Sequence, residues 1–289
     1  MATQYQNTLW LWMEGAFPRR VMYQLLIKGL VASPEALLRG ETTTPSLRVI
    51  RVQIGSGSGW ECADSTAEPH PKGASNPCLR TTDLTTGVSQ FLYESTSIMQ
   101  YLEELYPDSP MQPKSAIDRA KMSDILGKIN LTGVDLNYFL RNTVPELGAF
   151  MGLEAADQSR AAAMNALSCE TKGMLKIQQW AVENGMTPTS GWLTPGVDSP
   201  GLADIAFVST HRFLELVYGF DTVGDERLRT LAAWYERFKQ LPWWKGLEDR
   251  EGVLPPMFGF GKNSRASWFQ QEKDKEWIPI APSSSDRTS

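Results

Sequence analysis

Hydrophobic and polar positions repeat differently in the two parts of this chain. In the first part, short runs rich in β-branched and aromatic residues occupy 8–13 and 46–54, and an apolar repeat with helical spacing occupies 21–30 between them. Such runs predict strands, and apolar positions three and four residues apart predict an amphipathic helix. The chain is therefore expected to begin with a strand, a helix and a second strand.

A polar excursion separates this opening from two further strand signals. Positions 55–76 are rich in Gly, Ser, Pro and charged residues, which predicts a long irregular segment. A strand is expected to begin at 78–79, another to cover 89–93, and a helix to cover 96–105 until a proline ends it. The first part is therefore predicted to be an α/β domain.

Beyond position 115 the strand signals almost disappear. Apolar residues recur at helical intervals in four stretches: 117–140, 161–182, 202–217 and 228–241. The second part is therefore predicted to be all-helical. We expect the first domain at 1–108, the helical domain at 114–250, and a C-terminal extension at 251–289 that is partly disordered.

Charge and hydropathy exclude several classes of partner. The formal net charge is -5, and Lys and Arg are scattered along the chain. Because binding to nucleic acid normally requires a basic patch, no nucleic-acid partner is expected. The first residues lack the basic region of a secretory signal, and no apolar run approaches the roughly 18 residues that span a bilayer. We therefore expect a cytoplasmic protein without a membrane partner.

The cysteines and histidines do not form a recognisable metal site. Cys62, Cys78 and Cys169 are widely spaced and include no Cys-x-x-Cys pair, so they are interpreted as reduced structural thiols. His211 lies in a predicted helix without a second ligand nearby in sequence, which favours a structural role. No metal is expected.

Four segments together match a known arrangement of motifs. Segment 93–113 (YESTSIMQYLEELYPDSPMQP) has Glu-Ser, a short helix ending in Tyr-Pro, and a linker, and segment 70–79 (HPKGASNPCL) has Asn-Pro before a strand. Segments 201–207 (GLADIAF) and 231–245 (LAAWYERFKQLPWWK) match two later helices. The chain thereby resembles the cytosolic glutathione transferases, and most of all divergent fungal members, some of which belong to specialised metabolism. The resemblance implies a thioredoxin-like domain followed by an all-helical domain.

The resemblance also implies which residues bind glutathione. Glu94 would pair with the ammonium of the γ-glutamyl group, and Ser95 would bind its carboxylate at a helix N-terminus. Pro77 would be cis, which would turn the backbone of Asn76 toward the cysteinyl unit of the tripeptide. Two residues are cation candidates for the glycyl carboxylate: Lys72 and His70.

Activation of the thiol is the point at which the sequence departs from the family pattern. Gly15 stands where a Ser, Tyr or Cys is usual, so the standard activating group is missing. Glu14 is beside it, but a carboxylate near a thiolate raises the pKa of the thiol unless it acts as a base. Arg19, or the positive N-terminus of the first helix, would instead stabilise the thiolate.

A second departure concerns the stability of the helical domain. Gly201 stands where the family usually has Ser or Thr, so the hydroxyl that caps the following helix is missing. Glycine remains acceptable at an N-cap, so folding is not threatened, but a lower local stability is expected.

These observations leave three functions open. The resemblance implies a glutathione transferase that adds the thiolate to a small, hydrophobic electrophile and forms a homodimer. One alternative is a glutathione-dependent cis-trans isomerase of a conjugated alkene in a fungal biosynthetic pathway. The other is a non-catalytic glutathione-binding protein, since the hydroxyl at Gly15 is missing.

Overall fold

A computed structural model describes residues 4–55 and 59–250, and the predicted extension at 251–289 lies outside the described residues. The first half contains five strands: β1 (Tyr5–Trp12), β2 (Leu47–Ile54), β3 (Trp60–Cys62), β4 (Cys78–Asp83) and β5 (Ser89–Leu92). They form one mixed sheet in the order β3-β2-β1-β4-β5. β1 and β2 are parallel, and the other three pairs are antiparallel.

Helices surround this sheet and make up the second half. The first half contains α1 (Ala16–Ile27), α2 (Pro34–Arg39) and α3 (Ser95–Leu105). The second half contains α4 (Ala116–Arg141), α5 (Pro145–Phe150), α6 (Arg160–Glu183), α7 (Leu202–Tyr218), α8 (Arg229–Phe238) and α9 (Trp244–Glu248). Strands are confined to the first half of the described chain, as the change of periodicity near position 115 predicts.

The sequence prediction misses four short elements. β3 lies within the segment predicted to be irregular, where it pairs with the end of β2. α2, α5 and α9 have only five or six residues each. Elements of one or two turns present too few repeats for a periodicity to be recognised, and they depend on tertiary packing for most of their stability.

β1 is apolar on both faces because it packs between two layers. Leu9 and Leu11 belong to the main hydrophobic core, which also contains residues of α1, α3 and α7. Trp10 points to the opposite face, where it packs with Ile50 of β2 and Cys78 of β4. The alternation of leucine and tryptophan in this strand therefore supplies both cores.

The two halves share one continuous core. α1 packs against α7, and the main hydrophobic cluster includes residues from both sides of this contact. This packing fixes the end of β1 and the start of α1 relative to the helical half. Among residues 4–55 and 59–250, no helix has the length and apolar character needed to cross a bilayer.

The missing hydroxyl at Gly201 is supplied by another residue. A Cβ atom at Gly201 would lie 2.5 Å from Thr194 Oγ1, so a serine or threonine has no room there. Thr194 Oγ1 itself accepts a hydrogen bond of 3.0 Å from the backbone N–H of Ala203. The Asp204 carboxylate accepts bonds from the backbone N–H groups of Gly201 and Leu193. The start of α7 is therefore capped by the preceding loop, through a contact that the local sequence does not reveal.

Candidate active site

The segment before β4 is fastened to the end of β1 by the side chain of Asn76. The backbone N–H of Trp12 donates to Asn76 Oδ1 at 2.8 Å, and Asn76 Nδ2 donates to the carbonyl of Trp10 at 3.3 Å. The Asn76–Pro77 peptide bond is cis, as expected from the sequence. Within the described chain, the backbone N–H and C=O of Asn76 have no hydrogen-bond partner. A half-buried backbone donor and acceptor are therefore available to an extended ligand.

Asn76 and the start of α3 lie side by side. The hydroxyl of Ser75 donates a hydrogen bond of 2.9 Å to the carbonyl of Tyr93, which immediately precedes Glu94. Glu94 is the N-cap of α3, is exposed, and its side chain does not cap the helix. Ser95 is the first helical residue and is 4% exposed. An acidic side chain and the positive end of an 11-residue helix thus face the region beside Asn76.

Arg20 is a buried cation beside this helix terminus. Its side chain is 3% exposed, and Nη1 donates to Asn130 Oδ1 at 3.0 Å and to Ser95 Oγ at 3.4 Å. Nε has no hydrogen-bond partner, and no carboxylate of the described residues forms an ion pair with this guanidinium. Burial lowers the pKa of Arg20 to about 10, although the nearby charge of Glu94 opposes this shift. The site therefore holds a positive charge without a direct counterion.

Arg19, the predicted stabiliser of the thiolate, lies in a different environment. It is 1% exposed, and its Nε lies 3.2 Å from Glu248 Oε1 in α9. Its Nη1 donates to the carbonyl of Glu14, and the hydroxyl of Tyr23 also donates to Glu248 at 2.9 Å. The Arg19 guanidinium is thus engaged by the Glu248 carboxylate and by the carbonyl of Glu14. Arg19 fastens the turn after β1 to the last helix.

The turn at the end of β1 has no space for a side chain at Gly15. A Cβ atom there would lie 2.7 Å from Trp12 Cε3 and 2.9 Å from Pro18 Cδ. Gly15 is the N-cap of α1 and has an extended backbone conformation with φ -74° and ψ 149°. The indole ring of Trp12 therefore occupies the space that a hydroxyl-bearing side chain at position 15 would need. Glu14 lies in the same turn and is half-buried.

The two cation candidates differ in their surroundings. Lys72 is exposed, and no described residue forms an ion pair with it. His70 is half-buried and packs on Trp10 and Trp60, with ring centroids 6.2 and 6.0 Å away. Burial lowers the pKa of His70, because two backbone hydrogen bonds oppose the desolvation only in part. His70 is therefore mostly neutral near pH 7, whereas the exposed side chain of Lys72 is accessible to a ligand.

Solved structures with the same arrangement of elements are known. Maleylacetoacetate isomerase from Anaeromyxobacter dehalogenans 2CP-1 aligns with a TM-score of 0.54 and 18% identity over 88% of this chain and 96% of its own. A glutathione transferase from Methylobacterium radiotolerans, in complex with glutathione sulfonate, aligns with a TM-score of 0.53 and 19% identity over 84% and 94%. The Tau class enzyme from mango aligns with a TM-score of 0.57 and 16% identity over 84% and 92%. The chain has the glutathione transferase fold.

This similarity confirms the predicted fold: a thioredoxin-like first half and a helical second half. At such low sequence identity, structural similarity establishes only the fold, and the function has to be argued from the residues of the site. No protein-family model matches the sequence, and no curated protein matches it.

Three residues at this end of the glutathione transferase fold are not found by sequence reasoning. They are Trp12, Arg20 and Asn130. Arg20 is adjacent to a second arginine on the same helix, and nothing local distinguishes the two. Asn130 lies 110 positions away from its partner Arg20. Only folding brings Arg20 of α1 and Asn130 of α4 within hydrogen-bond distance.

Proposed function

We propose that this protein is a glutathione transferase that adds the glutathione thiolate to a small, hydrophobic electrophile. The observation that carries the proposal is the convergence of Asn76, Glu94, Ser95 and Arg20 at one end of the sheet. They supply an extended backbone edge, an anion, a helix N-terminus and a buried cation in one place. Glutathione carries an ammonium, two carboxylates and an extended peptide backbone, so it complements each of these groups.

Each end of the tripeptide has a receptor in this arrangement. The Glu94 carboxylate pairs with the γ-glutamyl ammonium. The γ-glutamyl carboxylate accepts hydrogen bonds from the hydroxyl and backbone N–H of Ser95, with the charge of Arg20 behind them. The cysteinyl unit pairs with the backbone of Asn76. Lys72 is the preferred partner of the glycyl carboxylate, because it is exposed and charged whereas His70 is mostly neutral.

The proposed activation of the thiol relies on the start of α1. The backbone N–H groups at this helix N-terminus stabilise a thiolate and thereby lower the pKa of the thiol. Arg19 contributes indirectly, since it holds the carbonyl of Glu14 and therefore the shape of the turn. Glu14 is the candidate base that removes the proton of the thiol, because its half-buried side chain belongs to this turn.

The thiolate then attacks an electrophilic carbon of a conjugated double bond: a carbon–sulfur bond forms, the π bond breaks, and its electron pair takes up a proton equivalent to the one that the thiol released. Phe17 is 55% exposed at the start of α1, where it offers an apolar contact for the electrophile. We further propose that this reaction takes place in the cytoplasm.

A glutathione-dependent isomerase is the second candidate function. One structural neighbour is a maleylacetoacetate isomerase that was also solved with bound glutathione, at a TM-score of 0.53 and 16% identity. In such a reaction, addition of the thiolate would convert a double bond to a rotatable single bond, and elimination would restore the double bond and release glutathione. Detection of regenerated glutathione with an isomerised alkene, and without a conjugate, distinguishes it from transfer.

A homodimer is proposed from apolar surfaces on both halves. Phe91 of the edge strand β5 and Tyr93, which follows this strand, are exposed and stack on each other at a centroid distance of 6.1 Å. Leu131, Val134 and Tyr138 are exposed along α4. In a twofold-symmetric dimer, the first surface of each protomer would pack on the second surface of its partner, and all of these surfaces would be buried. Sedimentation velocity should give twice the mass of the chain, and a concentration-independent monomer would contradict the proposal.

Glutathione binding is tested by isothermal titration calorimetry with the wild-type protein and Glu94→Ala. We expect the variant to lose roughly tenfold or more in affinity, because a charge-assisted hydrogen bond is removed. Glu104→Ala is the matched control, since Glu104 is an exposed glutamate on the same helix. Failure of the wild-type protein to bind glutathione would remove the basis of the proposal.

Activation is tested separately by titrating the thiol of bound glutathione through its ultraviolet absorbance. A catalyst should lower the pKa of the thiol below that of free glutathione. An unchanged thiol pKa, together with no consumption of electrophiles, would identify a non-catalytic glutathione-binding protein.

A further inference from the structure

The helical half contains a second cleft that the proposed glutathione site does not use. It lies between α6 and the connection from α7 to α8 and has a volume of about 430 Å³. Its walls combine three apolar side chains and three carboxylates: Leu167, Phe220, Leu228, Glu170, Asp221 and Asp225. Small-molecule sites are typically apolar clefts of about this size with a few polar groups that fix the ligand.

Glu170 lies at the floor of this cleft. The residue is 4% exposed, and its Oε1 atom has no hydrogen-bond partner. Its Oε2 atom accepts only a long bond of 3.4 Å from Thr171 Oγ1. Together with Thr222, Glu170 also lines a smaller inner cavity of about 30 Å³ between α4, α6 and α7. Such a poorly satisfied buried carboxyl group is unusual, since buried polar groups normally have partners.

No basic group lines the outer cleft to balance this carboxylate. Asp135 of α4 and Asp225 add negative charge near Glu170, and Asp225 is itself paired with Arg227 at 2.6 Å. His211 lines the inner cavity, but burial lowers its pKa to about 4 and its Nδ1 lies 2.7 Å from Thr222 Oγ1. His211 is therefore neutral near pH 7. Burial, with a smaller contribution from Asp135 and Asp225, raises the pKa of Glu170 to about 7.

We propose that this cleft binds a small organic ammonium ion whose apolar body packs on Leu167, Phe220 and Leu228 and whose charge pairs with Glu170. The hydroxyl groups of Thr171 and Thr222 also line the cleft and provide acceptors for the remaining ammonium hydrogens. Because Oε1 is shielded from solvent, binding requires the carboxylate to rotate about its soft terminal torsion.

An organic cation fits this site better than a metal ion. Among the described residues, no three His, Cys, Asp or Glu side chains are grouped as metal ligands. The apolar walls would contribute nothing to a hydrated metal, whereas they would bury the carbon skeleton of an amine. This cleft is independent of the glutathione site, so Glu94→Ala should leave amine binding unchanged.

The proposal is tested with 2-phenylethylammonium chloride as the probe and 2-phenylethanol as its neutral counterpart, by calorimetry on the full chain. The wild-type protein should bind the amine at least roughly tenfold more tightly than the alcohol, because only the amine pairs with the carboxylate. Glu170→Gln should abolish this preference. Glu183→Gln, at an exposed position on the same helix, is the matched control and should retain it.

The pH dependence of the wild-type protein gives a test that needs no variant. Because the ammonium requires ionised Glu170, affinity should rise by roughly tenfold per pH unit below pH 7 and level off above it. Equal binding of amine and alcohol by the wild-type protein, no binding of the amine, an affinity that falls as pH rises, or an unchanged preference in Glu170→Gln would each overturn the proposal.

Discussion

Arg19 and Arg20 are neighbours in the first turns of α1 and are almost equally buried, yet their surroundings differ in one respect. Arg19 has a carboxylate partner, Glu248, which belongs to the last described helix and also accepts a bond from Tyr23. Arg20 has no carboxylate partner and instead contacts the neutral oxygen atoms of Ser95 and Asn130 and the ring of Phe17. One arginine thus belongs to a buried ion-pair network, and the other has no direct counterion.

This difference separates a structural charge from a charge that is available to a ligand. A buried ion pair needs both partners, because removal of one leaves the other desolvated and unpaired. A buried cation without a counterion carries its desolvation cost until an anion approaches. The region beside Ser95 is therefore suited to a carboxylate, whereas Arg19 is suited to holding the two halves together.

The largest expected effect is on stability in Arg19→Met. The substitution removes the nearer of the two cations of the buried Glu248 carboxylate and leaves Arg212 at 3.5 Å, so the free energy of unfolding should fall by about 3–5 kcal/mol. Denaturant unfolding followed by circular dichroism measures it. Arg39→Met is the control, because Arg39 is exposed and its pair with Glu41 is screened by water, so little change is expected. An equal loss in both variants would contradict the structural assignment of Arg19.

A third buried charge, Glu170, extends the comparison to an acid without a counterion. Burial raises its pKa from the ordinary 4.5 to about 7, so the folded state favours the protonated form. The stabilisation of the folded state by protonated Glu170 is complete below pH 4.5 and is lost as pH rises through 7. Between these limits the wild-type protein should lose roughly 3 kcal/mol relative to Glu170→Gln. If the difference between the unfolding free energies of the two proteins stayed constant from pH 4.5 to pH 8, the prediction would be wrong.

The next effect concerns ligand affinity in Arg20→Met. We expect the affinity for glutathione to fall by about 2 kcal/mol, or roughly 30-fold, because the cation behind Ser95 is lost. The free energy of unfolding should change little, since no acid is left unpaired. Calorimetry measures the affinity for glutathione and for γ-aminobutyryl-cysteinylglycine, which retains the amine but lacks the γ-glutamyl carboxylate. The difference between the two affinities gives the contribution of that carboxylate. If the variant still discriminated between these ligands as the wild-type protein does, Arg20 would not act on that carboxylate.

The smallest effect is expected for Asn130→Ala. Asn130 accepts the 3.0 Å bond from Arg20, so its removal should let the guanidinium reorient and weaken glutathione binding by about 1 kcal/mol. The same calorimetric titration measures it. Asn137→Ala changes another asparagine of α4 and serves as a control. A loss as large as that of Arg20→Met would mean that Asn130 contacts the ligand itself.

Much of the fold follows from local pattern. The strand and helix signals of the first half and the long helical repeats of the second correspond to β1, β2, β4, β5, α1, α3, α4, α6, α7 and α8. The dipeptides Asn76-Pro77 and Glu94-Ser95 are also recognisable from sequence, because each lies at a boundary between elements that the pattern identifies. Whether these residues bind glutathione stays a prediction.

The tertiary structure decided which charges are paired and which positions have space. The sequence prediction chose Arg19 for contact with the thiolate, but the partner that buries it lies 229 positions later. Likewise, the sequence shows that Gly15 lacks a hydroxyl, whereas the packing of Trp12 and Pro18 shows that no side chain fits there. Periodicity and turn residues act locally and can be read along the chain, but the electrostatic role of a side chain depends on neighbours that only folding brings within a few ångströms.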